Sequence, residues 1–172
     1  HSAGLRLNGA LSIAQTDSRW QELKRQATTA QLYDVNLSIL NKDEIKKKYQ
    51  MMSTEDLKGG VFMPGDGSAD PSGVTHMLAK GARKGGAKIY EQSPVETILT
   101  KNGRVHGVKV KGQDIECEYV VLATGMWSRQ IGEKIGVSIP LYPAEHFYVI
   151  TEPIEKLSPT LPVIRDFDSS VY

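Results

Sequence analysis

Tyr119-Val120-Val121-Leu122-Ala123-Thr124-Gly125-Met126-Trp127 is the stretch on which the fold turns. Val120-Val121-Leu122 is an unbroken apolar run of the kind that parallel sheets bury on both faces. Ala123-Thr124-Gly125 ends it with small residues, and the residues after it predict a helix over about 128–135. A strand delivering its carboxyl end into a glycine turn and a helix is where open α/β sheets bind ligands.

Working upstream, residues 95–101 and 105–110 read as strands joined by Asn102-Gly103, the strongest short hairpin signal a sequence offers. A third strand over 114–119 completes a meander and runs into 120–122. Before the meander, Asp70 serves as N-cap and Pro71 as first helical residue, where its missing N–H costs nothing. That helix runs through Val74, Met77, Leu78 and Ala82 to Gly85-Gly86, and residues 87–91 read as a strand. Near the start, residues 5–14 alternate roughly and predict a strand. Thr16-Asp17 then cap a helix through Trp20, Leu23 and Ala27. A strand over 35–40, a helix from Asn41 to about Tyr49, a strand over 57–63 and one over 148–151 complete the expectation. The order of elements predicts an α/β (mixed α+β) layout interrupted by a β insert.

Composition narrows the function classes. The 172 residues are 40% hydrophobic and 24% charged, with net charge +1, values of a globular domain rather than a disordered one. Basic and acidic side chains interleave without a basic stripe, which argues against nucleic acid or an anionic membrane as partner. Lys46-Lys47-Lys48 reads as a solvated helix face. No run approaches the ~18 apolar residues of a membrane helix. The single cysteine, Cys117, cannot form an intrachain disulfide and sits in an alternating strand-like run without an activating neighbour, so it reads as a strand thiol. With one thiol and no leader, the expected compartment is the cytoplasm, or the mitochondrial matrix in a eukaryote. No metal site is expected. The absence of an initiator Met and the β-prone residues at the end suggest a piece cut at both ends.

The spacing of these elements resembles the FAD-binding half of the D-amino-acid-oxidase superfamily of flavoproteins. Residues 64–71, 103–108, 123–131 and 140–153 are similar to its dimethylglycine and sarcosine dehydrogenase branch, and the likeness extends over about 5–172. The resemblance implies an internal piece: a partial Rossmann-like FAD-binding half with a three-stranded β-meander, plus part of an antiparallel-sheet substrate domain. It assigns residues 1–69 and 139–172 to the substrate domain and 70–138 to the FAD domain. The G-x-G-x-x-G that cradles a pyrophosphate is missing: Gly59-Gly60, Gly65-x-Gly67 and Gly85-Gly86 lie in the wrong context. FAD is therefore expected in the full-length protein and only weakly, if at all, on these residues alone. An exposed sheet edge left by the missing unit could be covered by self-association.

Site residues follow from the same resemblance. The main chain at Val95 faces the adenine edge, and Ala123, Thr124 and Gly125 let ribose and phosphate approach the backbone. Trp127 either covers the cofactor or closes the core beneath the helix. His146, in the Pro140–Val149 stretch, matches the histidine that faces substrate and flavin; imidazole can exchange a proton near neutral pH. Tyr172 matches a substrate-pocket tyrosine that follows an acidic turn over 166–170. Arg165 either binds a substrate carboxylate in bidentate fashion or forms a surface ion pair. His76 and His106 read as structural or solvated and His1 as terminal. The implied activity is oxidation of an N-methyl amine by hydride transfer to FAD, with folate or an electron-carrier protein as a further partner. The alternatives are another flavoprotein of the superfamily, such as a glycine oxidase or glycerol-3-phosphate dehydrogenase type, or a non-catalytic module that retains the fold.

Overall fold

The computed structural model describes residues 3–155 and 157–171, and the chain divides into two compact units, residues 1–87 with 152–172 and residues 88–151. The second unit is therefore an insertion within the first, with breaks at 87/88 and 151/152 where the sequence suggests 69/70 and 138/139.

The first unit is built on a four-stranded sheet. Strands β1 (Ala10–Ala14), β2 (Ser38–Leu40), β3 (Gly59–Met63) and β7 (Val163–Asp166) lie in the order β2-β3-β1-β7. β1 pairs antiparallel with β3 and parallel with β7. Alternation along β1 sends Leu11 and Ile13 to one face and Ala14 to the other. On the first face they pack with Leu40, Leu57 and Ile45 of helix α2 (Lys42–Lys48). On the second, Ala14 and Val61 pack against Leu23 and Ala27 of helix α1 (Asp17–Gln31). A short sheet is thus covered on both sides by one helix each, which is why β1 is almost wholly buried.

The helices start where their capping residues dictate. Thr16 accepts from the Arg19 amide at 3.2 Å. Asn41 and Glu44 form a reciprocal capping box, with Asn41 Oδ1 accepting from Glu44 N at 3.0 Å and Glu44 Oε2 from Asn41 N at 2.8 Å, satisfying two amides that α2 cannot pair internally. Asp70 accepts from Ser72 N and Gly73 N ahead of helix α3 (Pro71–Lys84). Gly59-Gly60, rejected above as a phosphate loop, has a packing reason instead. A Cβ on Gly59 would meet the Trp20 ring at 2.7 Å, and one on Gly60 would lie 3.1 Å from Ile45 Cδ1.

The second unit carries a meander of β4 (Val95–Lys101), β5 (Arg104–Val110) and β6 (Gln113–Glu116). Asn102 and Gly103 have φ of +51° and +74°, the left-handed pair that a two-residue hairpin turn with matching twist requires. Lys111-Gly112 repeats the device at +50° and +74°. After the meander a 3-10 turn (Gly125–Trp127) leads into helix α4 (Ser128–Glu133).

Six expected strands differ. Residues 5–9 do not extend β1: Gly9 has φ of +80°, a conformation outside the strand region, and only the Arg6–Ser68 bridge precedes it. The 35–40 strand is confined to Ser38–Leu40 and the 57–63 strand starts at Gly59. Residues 87–91, 117–122 and 148–151 are not strands. Tyr119, Val121, Phe147 and Val149 are each more than four-fifths exposed. Their apolar, β-prone residues call for a neighbouring strand, and none of the described strands supplies one.

Candidate functional site

In the second unit a cavity of about 790 Å³ opens between the residues entering β4 and those entering α4. Ser93, Pro94 and Val95 form one side of its lining, and Ala123, Thr124 and Gly125 continue it. Trp127, Gln130, Ile131 and Lys134 supply the rest. The five residues expected to face a cofactor, Val95, Ala123, Thr124, Gly125 and Trp127, thus line one cavity although 28 positions separate Val95 from Ala123.

Local chemistry fixes the turn beneath it. Gly125 has φ of +54°, where an L side chain is strained, and a Cβ placed on it meets no atom within 4 Å. The Thr124 and Ser128 hydroxyls are 3.0 Å apart, with Ser128 buried, and Trp127 N donates to the Thr124 carbonyl at 3.1 Å. These bonds tie the turn to the first turn of α4. Trp127 is 59% exposed; it lines the cavity rather than closing a core. Lys134 Nζ donates to the Glu96 carbonyl at 2.7 Å, joining the end of α4 to β4.

The sequence reading missed Gln130, Ile131 and Lys134. A signal existed: with Trp127 they stand at i, i+3, i+4 and i+7, the spacing of one helix face.

The other candidates lie elsewhere. His146 sits in the irregular, exposed stretch that follows α4. Arg165, on β7 of the first unit, donates from a terminal guanidinium nitrogen to Asp66 Oδ2 at 3.0 Å, half-buried. Tyr172 and His1 lie outside the described residues. His76 is exposed on α3 with Nδ1 2.9 Å from the Ser72 carbonyl, and His106 is exposed on β5. Cys117 is partly buried just past β6. Among the described residues no cluster of His, Cys, Asp and Glu is arranged to hold a metal, and no helix is long and apolar enough to cross a membrane.

The acidic turn after β7 is engaged with the first unit itself. Asp168 Oδ2 accepts from the Gln15 and Thr16 amides at 2.9 and 3.3 Å, while Oδ1 takes Arg19 Nε at 3.4 Å. The Gln15 amide, chief among these donors, holds the Asp168 carboxyl below the usual carboxylate range against the opposing effect of its partial burial. Asp166 accepts from Gln15 Nε2 at 2.8 Å and from the amides of Asp168 and Ser169. Both carboxylates therefore anchor the entry to α1.

Comparison with known proteins gives the same architecture a family. The family model described as FAD dependent oxidoreductase (DAO) matches residues 1–172, and the chain belongs to that family. It is 36% identical over 170 residues to human mitochondrial sarcosine dehydrogenase, covering 96% of this chain and 18% of the relative. Human mitochondrial dimethylglycine dehydrogenase is 31% identical over 172 residues, 98% of this chain and 20% of the relative. The crystal structure of L-proline dehydrogenase from P. horikoshii superposes with a TM-score of 0.86 at 28% identity, covering 95% of this chain and 44% of that one. The chain therefore spans about a fifth of the length of these curated relatives.

The donor set suits the adenosine end of FAD. Strand backbone, a glycine turn with open space around it, an indole and a carboxamide suit a flat, edge-polar purine and its ribose better than they suit a highly charged group.

Proposed function

We propose that the chain is part of a flavin-dependent amine oxidoreductase whose substrate is an N-methyl amine or amino acid of the dimethylglycine or sarcosine type. The observation that carries this reading is the single cavity lined by Val95, Ala123–Gly125 and Trp127, in a chain whose family is FAD-dependent. In this reading residues 70–138 hold the adenosine end of the cofactor, and 1–69 with 139–172 contribute to the substrate side. The setting is the cytoplasm or the mitochondrial matrix, and a folate or an electron-carrier protein takes the one-carbon unit or the electrons.

FAD, when bound, supplies the two-electron acceptor for a hydride equivalent from the N-methyl carbon, leaving an iminium that water or folate consumes. The chain's own task is position and proton management. His146 keeps the amine nitrogen unprotonated by accepting its proton, which frees the lone pair that drives C–H loss. The resemblance gives Tyr172 and Arg165 to the substrate side, where Arg165 keeps guanidinium N–H groups beyond the one donated to Asp66 that suit a carboxylate.

In the full-length protein His146→Ala should lower kcat/KM for the amine about 100-fold or more while flavin content, read from the visible absorbance, stays near one per chain. Parallel loss of activity and flavin would return His146 to a structural role. A substrate panel of sarcosine, dimethylglycine, glycine and glycerol 3-phosphate separates the N-methyl reading from its relatives within the superfamily.

A further inference from the structure

The stripe Trp127, Gln130, Ile131 and Lys134 brings one face of the α4 region to the cavity, and its members differ in what they can do there. Trp127 and Ile131 offer apolar surface. Lys134 has its ammonium committed to the Glu96 carbonyl at 2.7 Å. Gln130 is the one neutral side chain of the stripe that carries a donor and an acceptor together, and it is exposed. A primary carboxamide presents N–H and C=O side by side, the pattern that pairs with the N6 amino group and N7 of adenine in two hydrogen bonds.

The opposite side of the lining leaves that edge of a purine unclaimed. Val95 opens β4 and offers only main-chain N–H and C=O, one donor–acceptor pair, enough for the N1–N6 edge. An adenine held there turns its N7–N6 edge away from the strand, and α4 is the other element lining the cavity. We propose that Gln130 is a specificity residue for the cofactor, reading the N6–N7 edge of the FAD adenine from α4. The proposal rests on the cavity being the adenosine site. It adds what makes that site select an adenine dinucleotide over a flavin lacking adenine.

The test uses the full-length protein stripped of flavin and titrated with FAD, FMN and the FAD analogue bearing 7-deazaadenine, with binding followed by quenching of flavin fluorescence. Gln130→Leu keeps the size of an exposed side chain, and far-UV circular dichroism checks that it folds. Wild type should bind FAD about tenfold more tightly than the 7-deaza analogue, the factor that one lost hydrogen bond of ordinary strength produces. Gln130→Leu should weaken FAD by about tenfold or more, bring FAD and the analogue level, and leave FMN unchanged. Unaltered FAD affinity in Gln130→Leu, or equal weakening of FAD and FMN, overturns the role of Gln130 alone. A wild-type full-length protein that takes up no FAD overturns the adenosine reading of the cavity along with it.

Discussion

Replacing Ile45 by Ala tests how the first unit is held together. α2 is seven residues long with Ile45 as its one buried side chain, and a helix that short does not stand alone in water. Ile45 is 0% exposed and packs among Leu11, Ile13, Leu40 and Leu57. Truncation to Ala deletes three carbon groups, roughly 2.4 kcal/mol at about 0.8 kcal/mol each. The space left beside Gly60 adds a cavity term, since Gly60 has no side chain to move in and Ser12 O stands 2.8 Å from where one would start. A total of about 3–4 kcal/mol follows, within the usual range for such truncations. Ile45→Val removes a single methylene and should cost about 1 kcal/mol. Urea denaturation gives both numbers, and hydrogen exchange at the α2 amides should rise first and most, because nothing else buried anchors that helix. A loss under 1 kcal/mol for Ile45→Ala, or α2 amides that stay protected, would show that α2 is held by its exposed contacts and not by this side chain.

Two further outcomes are expected. The Asp168 carboxyl is held below its ordinary value of 3.8, so its contribution to stability is full above that value and lost as pH falls through the lowered one. Thermal unfolding between pH 5 and pH 2 should therefore fall more steeply for wild type than for Asp168→Asn; equal slopes would remove Asp168 from the account. Gly125→Ala forces a side chain into a φ of +54°, costing about 1–2 kcal/mol. It should also lower flavin content in the full-length protein by narrowing the cavity at the turn. A variant with wild-type Tm and full flavin would show that the turn does not need glycine.

Local signals in this sequence were legible and non-local ones were not. Thr16, Asn41 and Asp70 each begin a helix because a side-chain oxygen meets an amide two or three residues on, a contact written within five consecutive residues. Asn102-Gly103 joins β4 to β5 for the same reason. Residues 5–9, 87–91 and 148–151 carry comparable apolar residues, yet a strand exists only where another strand pairs with it, and pairing is decided elsewhere in the chain. The cavity was half legible. The small residues of Ala123-Thr124-Gly125 and the resemblance pointed to it, whereas Gln130 and Lys134 needed the helix register counted forward from Trp127. Arg165 shows the limit from the other side. Its partner Asp66 lies 99 positions away, and no local pattern links the two.

The parallel pairing of β1 with β7 has a consequence for the order in which the chain is made. During synthesis β1, α1, β2, α2 and β3 emerge together and can settle, but β1 must wait with one edge bare until Val163–Asp166 leaves the ribosome. Everything in residues 88–151 is translated in that interval, and the meander, closed by two tight turns, can form by itself meanwhile. Bringing the ends of a flexible stretch of that length together costs about 4 kcal/mol in chain entropy, and a meander already folded shortens the stretch to be closed. The turn at Asp166–Ser169, with its grip on Gln15 and Thr16, then acts as the latch on a seam that stays open while the inserted unit is made. A chain interrupted before residue 163 lacks β7 and would present that edge of β1 to its neighbours, so such products should aggregate more readily than chains that reach β7.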